Sequence, residues 1–184
     1  MADTIHTAKP TERFGIKEVA DVTFYKIGTD GAKGDAVISF DTLKVSNLEF
    51  TSETAEARGG KGNAPLIIWD YGREVTLTLE DALLSMDTLA LMFENDPAKG
   101  ADGIVISANT FPGTYYVVGT TYARDEVTGK DDLFTFEIMK AKINSEVTLT
   151  MEAEGDPTVF NMTLRVLRDK DGNMMKLTKA AQTT

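Results

Sequence analysis

Apolar residues recur at every second position along much of this chain. Val75, Leu77 and Leu79 alternate with Glu74, Thr76, Thr78 and Glu80. Phe160, Met162, Leu164 and Val166 repeat the pattern, and Ile38 and Phe40 are opposed by Ser39 and Asp41. Successive side chains of a strand point to opposite faces, so a period of two specifies half-buried β-strands. Strand patterns cover residues 19–27, 36–43, 45–54, 65–69, 73–80, 103–111, 114–123, 133–143, 147–153, 159–167 and 174–178. Turn chemistry separates them: Gly28-Thr29-Asp30-Gly31, Asp70-Tyr71-Gly72, Pro112-Gly113, Glu154-Gly155-Asp156-Pro157, and Asp169 to Asn173 as a hairpin turn. About ten short strands so spaced predict a mainly β domain, a sandwich or barrel.

One helix interrupts the strands. Ser85 can cap a helix running to about Glu94, with Asp87 in its first turn and Asp96-Pro97 as the stop. Met86, Leu89, Ala90 and Phe93 would share its buried face. A start at Asp81 is compatible with Ala82-Leu83-Leu84. The whole chain of 184 residues suits one domain. Residues 1–14 read as a flexible N-terminal arm, 15–180 as a single β-rich domain, and 181–184 as a flexible C-terminus. Residues 52–64, SETAEARGGKGNA, hold almost nothing to bury and read as a long loop.

Nineteen basic residues against twenty-nine acidic ones give a net charge of −10, a sign that repels nucleic acid overall. No cysteine is present, which excludes disulfides and thiolate metal sites. The longest apolar runs, such as Leu89 to Phe93, are too short to cross a bilayer. The first residues lack the basic start and hydrophobic stretch of a secretory signal.

The chemistry-bearing patterns are equally sparse. His6, the only histidine, lies in the polar arm with no scaffold to orient it. Arg58-Gly59-Gly60-Lys61-Gly62-Asn63 lacks the Gly-Lys-Ser/Thr ending of a phosphate loop, and Gly28 to Gly34 sits between strands. Asp169 to Asn173 lacks the third acidic ligand and closing Glu of a calcium loop. Carboxylate pairs at Glu152/Glu154 and Asp125/Glu126 are expected by chance in so acidic a chain. The reading is therefore a protein that is not an enzyme, with no catalytic residue, no metal site and no cofactor.

The stretch Glu56-Ala57-Arg58-Gly59-Gly60-Lys61-Gly62-Asn63-Ala64-Pro65-Leu66, continuing through Trp69-Asp70-Tyr71-Gly72-Arg73-Glu74-Val75-Thr76-Leu77-Thr78-Leu79-Glu80-Asp81-Ala82-Leu83, resembles segments of bacteriophage tail structural proteins. The ending from Glu154-Gly155-Asp156-Pro157-Thr158 to Asp171-Gly172 does so too. The resemblance is to major tail (tail tube) proteins of tailed phages infecting Gram-positive bacteria. It implies a β-sandwich/barrel-like tail tube fold with one flanking α-helix, assembled as stacked hexameric rings into a hollow tube that conducts phage DNA during ejection. The implied partners are copies of itself, other phage tail proteins, and double-stranded DNA passing the lumen without specific binding. It further implies a virion protein, assembled in the host cytoplasm and not inserted in a membrane.

Under that resemblance a hairpin spanning 36–53 would face the lumen through Ser39, Asp41, Asn47, Glu49 and Thr51, with Glu74, Thr76, Thr78 and Glu80 as the rival face. The loop residues Glu53, Glu56, Arg58, Lys61 and Asn63 would grip neighbouring subunits. Two alternatives stay open. One is another phage structural component (baseplate, tail terminator or head decoration). The other is a carbohydrate-binding or adhesion module in which Trp69, Tyr71, Tyr115 and Tyr116 stack on sugar rings rather than filling core and strands.

Overall fold

A computed structural model describes residues 13–16, 18–93, 96, 103–144 and 160–180. The alternating segments form β1 (Phe14–Ile16), β2 (Asp21–Ile27), β3 (Lys33–Phe40), β4 (Leu43–Gly59), β5 (Ala64–Asp81), β6 (Thr114–Asp125), β7 (Asp131–Ile143), β8 (Phe160–Val166) and β9 (Met175–Ala180), with α1 (Met86–Phe93) between β5 and β6. The nine strands of the described residues join one antiparallel sheet ordered β3-β2-β6-β7-β8-β5-β4. β1 and β2 follow each other along one edge of β6, and β8 and β9 along one edge of β7.

β3 and β4 stand at opposite ends of this order, yet only Asp41 and Thr42 separate them in sequence. At about 3.8 Å per Cα step, so short a link brings the two ends of the sheet to one corner, and the sheet must roll. The Thr42 hydroxyl donates to Asp81 Oδ1 at 2.6 Å, and the Ala82 amide donates to the Thr42 carbonyl. Inside the roll, Val22, Phe24, Leu77, Val117, Ile138, Met162 and Leu164 are fully buried, joined by Leu91 and Met92 of α1. Each such side chain stabilises the fold by roughly 1.5–3 kcal/mol. Phe160, Met162, Leu164 and Val166 point inward, as their alternation predicts.

The expected helix is present, and Ser85 caps it: Ser85 Oγ accepts the Thr88 amide at 3.1 Å. Of its expected face, Ala90 is buried and Leu89 and Phe93 pack against the core, while Met86 is exposed. Thr88, Leu91 and Met92 are buried as well. Three consecutive buried positions mean that neighbours pack on more than one side of this two-turn helix, which a single-stripe pattern does not anticipate.

Several further expectations are corrected. Residues 52–59 are strand, not loop: β4 stays paired with β5 from Glu53↔Tyr71 to Gly59↔Ala64. Asp70-Tyr71-Gly72 is not a turn. β5 runs through it, and Gly72 (φ 60°) takes up the extra residue of a bulge between Thr51↔Glu74 and Glu53↔Tyr71. Asp169 to Asn173 is a turn closed by Asp169 Oδ1, which accepts the amides of Asp171 and Asn173. It does not make a hairpin, because β8 and β9 run in the same direction along β7. Residues 103–111, patterned as a strand, join no ladder among the described residues. Phe14, assigned to the arm by its polar context, begins β1, its ring 5.8 Å from that of Phe134. The remainder of the arm before Arg13, the predicted strand 147–153 and the residues 181–184 lie outside the described residues.

Gly119 pairs with Phe136 across β6 and β7, and the Phe136 ring lies where a Gly119 side chain would project, 2.0 Å from an ideal Cβ. Gly119→Ala is expected to destabilise the domain by about 1–3 kcal/mol through overpacking, read as a lower urea midpoint. Adding Phe136→Leu should recover part of that loss; an unchanged midpoint in the single variant would contradict the packing.

Candidate assembly site: a projecting hairpin and an outer sheet face

β8 supports β5 only over Thr76–Asp81. Beyond the Gly72 bulge, β4 and β5 continue as a two-stranded ribbon with no third strand among the described residues, extending roughly 25 Å at 3.4 Å per residue. Cross-strand partners share a face. One face therefore carries Glu53·Tyr71, Ala55·Trp69 and Ala57·Ile67, and the other Thr54·Asp70, Glu56·Ile68 and Arg58·Pro65. The alanines are too small to cover their partners. Ile67, Trp69 and Tyr71 each remain about half exposed at 52 %, 51 % and 53 %. On the opposite face Arg58 Nε donates to Glu56 Oε2 at 2.7 Å, an exposed pair worth little to stability.

The tip reverses over Gly60 to Asn63, where Gly60, Gly62 and Asn63 take positive φ of 77°, 92° and 51°. Glycine makes that conformation cheap, so the Gly-rich run is turn chemistry. Of the residues expected to grip neighbours, Glu53, Glu56 and Arg58 sit on β4 and Lys61 and Asn63 at the tip, and all five are exposed. The bare Ile67, Trp69 and Tyr71 are not anticipated by sequence pattern. A run such as Leu66–Trp69 reads as core, and its exposure is visible only once its partner strand, Glu53 to Arg58, is known to offer nothing apolar beyond alanine.

The expected hairpin over 36–53 does not form, since β3 pairs with β2 and β4 with β5. Ser39 lies on β3 with its hydroxyl 2.9 Å from that of Thr23, and Asp41 lies in the corner link. Asn47, Glu49 and Thr51 lie elsewhere, opposite Thr78, Thr76 and Glu74. The two rival sets are thus cross-strand partners on one face. That face continues onto β8, where Thr76, Thr78 and Glu80 meet Arg165, Thr163 and Asn161, and Arg165 pairs with Glu74.

The four aromatics considered for sugar stacking do not converge. Trp69 and Tyr71 are on the ribbon, whereas Tyr115 packs on Phe24 in the core and the Tyr116 hydroxyl donates to Glu137. Burial pushes the Tyr115 phenol up to about 12. Among the described residues no three His, Cys, Asp or Glu side chains are grouped to hold a metal. The carboxyls held below their usual range serve turns and ion pairs. Asp125 is the clearest: it is lowered first by the Thr128 amide, which it accepts at 2.7 Å, then by the Thr128 hydroxyl and the Val127 amide.

The described residues thus form a rolled antiparallel sheet with two uncovered ends and a bare β4–β5 ribbon. The chain belongs to the YomU/Tube protein family, whose model matches residues 14–100 and 96–178. Among solved structures it is similar to a chain of the PVC sheath–tube complex of an extracellular contractile injection system in the extended state. There the identity is 10 %, the TM-score 0.50, and the match covers 88 % of this chain and 89 % of that one. It is also similar to a chain of the six-fold symmetrised anti-feeding prophage baseplate, at 16 % identity and a TM-score of 0.51, covering 89 % and 95 %. No curated protein matches significantly.

Asp125 has a depressed folded-state pKa, so its contribution to stability is present above the ordinary carboxylate range and lost as pH falls through the folded value. Asp125→Asn is expected to flatten the acid limb of the stability–pH curve, measured by thermal melts; an unchanged limb would remove the role. Trp69 is the only tryptophan, so unassembled protein should show solvent-exposed emission readily quenched by acrylamide. Emission already shielded in dilute protein would contradict the bare ribbon.

Proposed function

We propose that this chain is the tube subunit of a phage-like tail, assembling as stacked hexameric rings into a hollow tube that conducts DNA during ejection. The observation that carries the reading is the geometry of incompleteness: among the described residues two sheet edges are open and a ribbon has apolar side chains bare on both faces. Open edges attract strands from other chains, and a contact between unlike surfaces on identical copies closes into rings or extends as a filament. Family membership and the likeness to a six-fold symmetrised assembly support the same reading. Glu53, Glu56, Arg58, Lys61 and Asn63 frame the ribbon as the grip between subunits.

The polar face bearing Asn47, Glu49, Thr51, Glu74, Thr76, Thr78 and Glu80 is the proposed lumen, with Ser39 and Asp41 bordering it at the subunit junction. Three glutamates against Arg165 make it acidic, which lets a phosphate backbone slide rather than adhere. Six copies at −10 each give a ring of roughly −60 in total, of which the lumenal share matters. The protein then acts as a structural part of the tail particle, assembled in the host cytoplasm beside other tail proteins, and performs no catalysis. A second reading, a tube-like baseplate component, is favoured by the baseplate likeness.

Negative-stain microscopy of concentrated protein separates these readings. Long tubes of six-fold rings are expected; single rings that never stack would favour the baseplate part. Replacing residues 53–71 by a short turn should leave a folded monomer, because the β5–β8 ladder over Thr76–Asp81 is retained, and should abolish tubes. Normal tubes from that variant would overturn the role of the ribbon.

A further inference from the structure

Four of the six arginines in the chain form ion pairs: Arg13 with Glu126, Arg58 with Glu56, Arg124 with Asp131 and Arg165 with Glu74. The other two, Arg73 and Arg168, have no ion pair or side-chain hydrogen bond among the described residues. Both line one cleft of about 670 Å³ at the base of the ribbon, where the link from β8 to β9 faces β5. One carboxylate, Asp70, lines the same cleft and pairs with neither. Two positive charges therefore stand against one negative, a local reversal of sign in a chain whose net charge is −10.

Apolar side chains supply much of the remaining lining. Phe50 and Val75 are cross-strand partners on the face that buries Leu77 two residues further along. Val75 is 2 % exposed and Phe50 54 %, so the core face of the sheet comes out to solvent here. Met174 and Met175, which pack against the core, border the same space. A planar guanidinium grips a carboxylate through two parallel N–H donors. Two of them beside an apolar wall suit an acidic side chain carried by a protein segment better than a small hydrated ion.

A phosphate backbone is the other anion at hand. Phe50 and Val75 alternate with Glu49, Thr51, Glu74 and Thr76, so the cleft opens on the face of the sheet opposite the proposed lumen. DNA in the bore does not reach it. Copies of the chain do, and each brings a surplus of ten acids.

Resting on the self-assembly reading above, we propose that this cleft is a carboxylate socket between copies, in which Arg73 and Arg168 of one subunit hold an exposed Asp or Glu of a second. The counter-charge that the free chain lacks arrives with its neighbour. Complementary charge of this kind fixes which surfaces meet and in what register.

Arg73→Gln combined with Arg168→Gln is expected to raise the threshold concentration for assembly roughly ten-fold or more, as removing one partner of a desolvated charge pair does. Lys26→Gln combined with Lys130→Gln removes the same charge at exposed positions outside the cleft. That control should leave the threshold within about two-fold, as surface substitutions do. An unchanged threshold in the arginine variant, or an equal rise in the lysine variant, would overturn the socket while leaving the tube reading intact.

The neighbour's acid can be trapped directly. Arg168→Lys keeps the charge and supplies an amine, which a carbodiimide condenses with a touching carboxylate into an amide, itself taking up the water as a urea. In assemblies of equal light and heavy-nitrogen Arg168→Lys chains, about half of the peptides cross-linked at position 168 should join one light and one heavy chain. Amides formed only within a chain, to Asp70 for instance, would overturn the socket. Should the double arginine variant fail to fold, this cross-link decides alone. Wild-type protein that stays monomeric under every condition would overturn both the socket and the tube.

Discussion

A β-sheet edge leaves backbone amides and carbonyls unpaired, and these groups seek partners in water or in another chain. The rolled sheet meets that demand for its inner strands. Among the described residues it does not meet it for β3 and β4, which the Asp41-Thr42 link draws to one corner without pairing them. A barrel closed within one chain would bring its first and last strands into register. Here β4 is instead committed to β5 over its whole length, including the part that leaves the body. The outer edge of β4 is consequently long, and its charged side chains are the device that keeps it from pairing indiscriminately.

β5 is the element through which core and assembly surface communicate. Its second half buries Val75, Leu77 and Leu79 against the core and pairs with β8, while its first half carries Leu66 to Tyr71 bare. The Gly72 bulge separates the two regimes, adding one residue and re-aiming the strand. A rigid core therefore fixes the direction of the ribbon at its base. Fully burying one large apolar side chain is worth roughly 1.5–3 kcal/mol, so a neighbour that shields the exposed halves of Ile67, Trp69 and Tyr71 together gains part of that at each.

Much of the body is legible in the amino-acid sequence alone. Period-two alternation locates β2, β7, β8 and the inner half of β5, because those strands have one wet face and one dry one. Ser85 announces its cap by side-chain chemistry. The misreadings share a cause. Ser52 to Gly59 is polar on both faces because neither face of an isolated ribbon is buried within the monomer, so no alternation records it. Residues 103–107 carry the composition of a strand yet join no ladder among the described residues. Asn47 to Thr51 and Glu74 to Glu80 read as alternatives because one-dimensional pattern gives faces but not which strands pair. Composition near an interface reflects the assembled environment, and the monomer's own burial is a poor guide to it.

Charge completes the argument. A chain at −10 repels its own copies, so an interface must avoid the charge or neutralise it. Residues 52–71 hold three acids and two bases, close to neutral within a strongly acidic protein, and two of those five are already paired as Glu56 and Arg58. Bringing a ribbon of that composition against a second copy incurs little direct repulsion, and salt screens the remainder within about 10 Å at 0.1 M. The surplus of acid elsewhere can then face solvent or a conduit without opposing the contacts that build it. Apolar area, unguarded backbone and low net charge coincide on one segment, and that coincidence is what an acidic protein needs in order to associate with itself.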